Sequence, residues 1–176
     1  MKSSPKKSVL WPIWVRLTHW ALAAACILNL AILEEGEEPH QWVGYAAATL
    51  VVIRAVSGQR SSKRALKLSS MLPRPRQIRA ELKKLVARKP LDRPEGHSPL
   101  AAPVMLGIWG AILVLSLTGF MQLSDTFYGD EWVYKVHELT SKALWALIAA
   151  HLLGLAHDTR SSGKPTWKGM WSGQKG

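Results

Sequence analysis

The chain has 176 residues, 48% of them hydrophobic and 20% charged, and the two kinds are segregated along its length. That excludes a disordered polar protein, which lacks apolar mass, and argues against an ordinary soluble domain. The net charge of +11 admits a nucleic-acid partner, but the bases lie in loops beside apolar stretches, where an anionic membrane surface fits better.

The first apolar stretch covers residues 11–33, and apart from Arg16 and His19 near its start it is uncharged. Its length suits one crossing of a bilayer, which takes roughly 20 residues. Lys2, Lys6 and Lys7 imitate the start of a signal peptide. The apolar run is too long for one and no A-x-A site closes it, so it reads as a retained span. Glu34, Glu35, Glu37 and Glu38 follow, with no base among them. The second stretch, 40–56, begins at His40 and carries Gly44 and Arg54.

The segment 58–98 holds twelve Lys/Arg against three acids. Within it Ile78, Leu82, Leu85 and Val86 fall on one face of a short helix ringed by Arg79, Lys83, Lys84 and Arg88. This reads as an interfacial helix on anionic lipid, or as a solvated basic linker. His97, just before Pro99, is a surface polar residue or part of a quinone or proton site. The third stretch covers 100–121 and the fourth 132–156, with Asp125, Asp130 and Glu131 between them and a basic tail beyond. None alternates like a barrel strand.

The expected fold is therefore all-α: one unit over 1–176, an up-down four-helix bundle integral to a membrane, since lipid requires each span to satisfy its own backbone. The bias of Lys and Arg places both termini and the 58–98 loop in the cytoplasm and the two acidic turns on the other side. Tryptophans near the span ends (Trp11, Trp14, Trp20, Trp42, Trp132) form an aromatic belt. The single Cys26 leaves no disulfide framework, no CxxC zinc site and no covalent haem attachment.

Histidine at membrane depth is costly and marks a candidate site. His137 and His151 are fourteen residues apart on one helix. That spacing puts them on a shared face, about 21 Å apart along the axis. His19 starts a span from the inside and His40 starts one from the outside. Four imidazoles then sort by depth into two pairs, His19 with His151 and His40 with His137. A flat cofactor that takes two axial imidazoles in an apolar slot is haem b, here two of them, with iron that has no vacant position and so favours electron transfer. Gly44 leaves room for a macrocycle or simply for helix packing. Arg16 and Arg54 pair with haem propionates or snorkel to the interface. His157 falls on another face. HExxH, phosphate-loop and nucleophile-elbow patterns are missing, and a carboxylate di-iron bundle needs two Glu-x-x-His motifs where the chain has one, Glu37 to His40.

Several segments in order resemble one family. They are Arg16-Leu17-Thr18-His19-Trp20, His40-Gln41-Trp42-Val43-Gly44-Tyr45, Arg54, Gly96-His97-Ser98-Pro99-Leu100, His137-Glu138 with His151, and Trp167-Lys168-Gly169-Met170-Trp171-Ser172-Gly173. Together they resemble the bacterial cytochrome b561 and nickel-iron hydrogenase b-type cytochromes over nearly the whole chain. Ser98 stands where that family has Asn, and the hydrogenase members usually carry a fifth helix. The resemblance implies a multi-pass protein of the bacterial inner (plasma) membrane. It implies two haems b on His19, His40, His137 and His151, and electron exchange between quinone (ubiquinone) and a soluble or membrane-anchored redox protein. The acidic outer face suggests a basic cytochrome c as that protein. The alternative within the family is a superoxide:quinone oxidoreductase, although Lys135 is the only base near the outer entrance. Nucleic acid is not expected as a partner.

Overall fold

A computed structural model describes residues 11–61, 72, 74–87, 99–162 and 167–173. The described residues are helical, without strands. In chain order the helices are α1 (Ile13–Ala31), α2 (Glu38–Arg60), α3 (Pro75–Val86), α4 (Ala101–Gln122), α5 (Glu131–Ser162) and α6 (Lys168–Ser172).

Local chemistry accounts for the boundaries. α2 opens with Glu38 and Pro39 in its first turn. There a missing N–H costs nothing and a negative charge meets the positive end of the helix dipole. α3 also has a proline at its start, and the Gln77 side chain accepts from the Arg74 N–H at 3.0 Å. The α4–α5 turn closes with Tyr128 N–H on Ser124 O at 2.9 Å, followed by Gly129 at φ +83°. α5 outruns its apolar stretch because no proline stops it before Pro165.

α1, α4 and α5 are long and apolar enough to cross a membrane. α2 does not meet that measure, since Glu38, His40, Gln41, Arg54, Gln59 and Arg60 dilute its hydropathy. It is nonetheless packed on both sides: α1 lies on α2, α2 on α4, and α4 on α5. The core joins all four through Ala25, Ala47, Val51, Trp109, Ala111, Ile112 and Leu144. Much of it is small, which lets helix backbones approach where water supplies no hydrophobic drive. Leu17, Ile27, Leu117, Phe120, Leu139 and Leu153 are exposed on the outer faces, an apolar surface too extensive for water.

Two short helices sit at the ends. α3 forms where the periodicity of Ile78, Leu82 and Leu85 predicts it. Its one buried residue, Glu81, accepts the Leu100 N–H at 2.9 Å where α4 begins. Leu82 and Val86 are exposed. α6 packs on the beginning of α1, in a small core of Trp11 and Val15 with Trp14 and Met170.

Candidate functional site

The four histidines singled out by spacing stand as two pairs. The ring centres of His19 and His151 are 6.4 Å apart and tilted by 56°. Those of His40 and His137 are 6.5 Å apart and tilted by 48°. One pair joins α1 to α5 and the other joins α2 to α5. His157 lies farther along α5, half-buried, outside both pairs. His97 and its neighbours Gly96 and Ser98 fall outside the described residues.

The spacing within each pair has a chemical meaning. A ring nitrogen stands about 1.1 Å from its ring centre, so facing nitrogens are still about 4 Å apart, too far for a hydrogen bond. A metal–imidazole bond is about 2.0–2.1 Å, so two imidazoles on opposite sides of one metal have centres about 6.3 Å apart. Both pairs match that figure. Two nitrogens do not complete a coordination sphere, and the described residues contain no group of three or more His, Cys, Asp or Glu able to hold a metal. The remaining ligands of any metal between these rings would come from a non-protein group, as a macrocycle supplies them.

At the His40–His137 end a cavity is lined from all four long helices, by Asn29, His40, Gly44, Gly119, His137 and Trp145 among others. A Cβ on Gly119 would come within 3.6 Å of His137 Cε1. One on Gly44 would come within 3.3 Å of Asn29 Nδ2, so Gly44 gives room to a neighbouring side chain as well as to the cavity. Asn29 donates to the His40 carbonyl at 3.0 Å and fixes the first turn of α2 against the end of α1. The Asn29 Oδ1 and His40 Nδ1 atoms are buried without a hydrogen-bond partner. Such atoms are rare in a closed protein interior and fit a site shaped for a bound group. His137 Nδ1 is 2.8 Å from the Thr118 hydroxyl.

At the other end Arg54 is 6% exposed. Its Nη1 donates to Val15 O at 2.6 Å and to Thr18 Oγ1 at 3.2 Å. Its guanidinium lies 5.9 Å from the Trp109 ring centre. Arg54 therefore ties α2 to α1, one turn from His19. Arg16 donates to the Trp171 carbonyl, and its Nε is buried with no partner. Trp20 reaches Met170 O at 3.4 Å, and its ring meets Trp171 edge-on. The tail thus closes over the end of α1 that carries His19.

Thr118, Asn29 and Trp109 were not singled out from sequence. Thr118 and Asn29 carry one available signal: each is a polar residue inside an apolar run. Trp109 and the docking of α6 carry none, because only the tertiary contacts reveal them.

A family model described as prokaryotic cytochrome b561 matches residues 10–173. No curated protein and no solved structure matches the chain.

Proposed function

The chain belongs to the prokaryotic cytochrome b561 family, and on that footing we propose that it conducts electrons across the bacterial inner membrane through two haems b, one held by His19 and His151 and the other by His40 and His137. Membership implies a membrane protein that transfers electrons with haem b. The observation that carries the finer reading is the repeated ring spacing, 6.4 and 6.5 Å, at two levels of one helix. Bound haem would supply a one-electron couple there, held by these imidazoles.

The chain's own residues have separable tasks in this reading. The four imidazoles hold the two groups about 21 Å apart along α5. Gly44 and Gly119 keep the wall of the outer slot free of side chains. Arg16 and Arg54 offer positive charge at the inner end, where haem propionates would need it. The apolar core between the levels excludes water and other reactants.

Orientation follows the distribution of bases. The basic 58–98 segment and both termini face the cytoplasm, and all four long helices cross, α2 included because Arg54 and His40 turn toward its neighbours and Glu38, Gln59 and Arg60 lie at its ends. The opposite rim exposes Glu34, Glu35, Glu37, Glu38 and Asp125. An acidic rim steers a basic redox protein such as a cytochrome c. Ubiquinone, dissolved in the lipid, is the exchange partner at the other level.

Liposomes containing the purified protein test this. A ubiquinol analogue should reduce the protein, which should then reduce external cytochrome c, more slowly as salt rises. His40→Ala should stop transfer to cytochrome c while quinol still reduces the remaining haem. A rate indifferent to salt would remove the acidic rim from the account. A wild-type protein that quinol cannot reduce would remove quinone.

A further inference from the structure

Thr118, in α4, is 4% exposed. Its hydroxyl has one proton to donate. Two carbonyls of its own helix are within reach, Val114 O at 2.8 Å and Leu115 O at 3.2 Å. When that proton goes to one of these carbonyls, the oxygen accepts from its third neighbour, His137 Nδ1, at 2.8 Å. A neutral imidazole carries one proton. In that arrangement His137 holds it on Nδ1, and Nε2 is left as the only nitrogen with a lone pair to give.

The other three imidazoles differ. His40 Nδ1 is buried without a partner. Among the described residues no hydrogen bond reaches the ring nitrogens of His19 or His151. The two pairs have nearly equal spacing, yet among the described residues only the His40–His137 pair contains a ring that a side-chain hydroxyl contacts.

We propose that Thr118 is the positioning residue of the His40–His137 pair: it selects the His137 tautomer, fixes the ring plane, and makes this site electronically distinct from the His19–His151 site. The redox part rests on the haem reading; the tautomer part does not. A ligand imidazole that donates its far N–H becomes a more basic ligand. More basic ligation favours oxidised iron, so Thr118 lowers the potential of the outer haem.

The test uses the full-length purified protein as wild type, Thr118→Val and Thr118→Ser. In a redox titration, Thr118→Val should raise the potential of one haem component and leave the other in place. Thr118→Ser, which keeps the hydroxyl, should restore the wild-type curve. The low-spin resonance of the oxidised protein, which reports ring-plane orientation, should change for the same component only. Nitrogen-15 spectra of the histidines in the reduced protein should show His137 with its proton on Nδ1 in wild type and Thr118→Ser. A wild-type His137 protonated on Nε2 overturns the proposal, and so does a Thr118→Val protein whose potentials and resonance both match wild type. If Thr118→Val does not fold, the His137 Nδ1 proton of the wild type and Thr118→Ser still decides it: it must carry a hydrogen-bonded shift that His40, whose Nδ1 has no partner, lacks. A wild-type chain without haem but with the Nδ1 proton in place upholds the tautomer claim and counts against the haem reading alone.

Discussion

Arg54 shows how one residue serves two levels of the argument. As sequence it is a charge inside an apolar run, readable as a propionate partner or as a snorkelling side chain. In the fold it is buried, donates to Val15 O at 2.6 Å and Thr18 Oγ1 at 3.2 Å, and lies over Trp109. Charge-assisted hydrogen bonds of this kind contribute about 1–3 kcal/mol. Arg54→Leu should therefore lower thermal stability in detergent by that order, even before any effect on a bound group, and unchanged melting would show that the α1–α2 tie contributes nothing. The sequence exposed the position and the charge. It hid the partners, because Val15 and Trp109 look like any other apolar residues until helices are packed. The same holds for Thr118: a threonine in an apolar helix commonly bonds its own carbonyls, and nothing local says that His137 lies beyond.

At the scale of elements, apolar runs located the four long helices, short of the last six residues of α5, and face periodicity located α3. The hydropathy expected of a full membrane span passes over α2, because Arg54 and His40 face its neighbours and Glu38, Gln59 and Arg60 sit at its ends. The helix that no pattern announced is α6, five residues docked on α1 by contacts 150 or more residues apart in sequence. Gly173 makes the docking possible. Its φ is +76°, and a Cβ there would stand 3.0 Å from Trp11 O. Its own carbonyl accepts the Trp11 N–H at 3.3 Å. A left-handed alanine costs about 1–2 kcal/mol, and the contact with Trp11 adds to it. Gly173→Ala should release α6, seen as faster proteolysis of the C-terminal tail and a shift in tryptophan fluorescence, with the His40–His137 end unaffected. Equal cleavage rates in the two proteins would mean that the segment is not held by this turn.

At the scale of the whole molecule, two imidazole pairs are separated along one helix and wrapped by an apolar core. This much was legible in the sequence, since the fourteen-residue interval on α5 and the expected up-down order of the helices sort the four histidines into two levels. The asymmetry between the pairs was not, because it lies in Thr118, Asn29 and the closure by α6. The central claim is the number and location of the cofactors. Haem extracted and quantified per purified chain measures it directly. The account predicts two haems b in the wild type, and one in each of His19→Ala, His151→Ala, His40→Ala and His137→Ala. The haem lost should be the same within a pair and different between pairs. A wild-type content of one, or a full complement in any of the four variants, would contradict it.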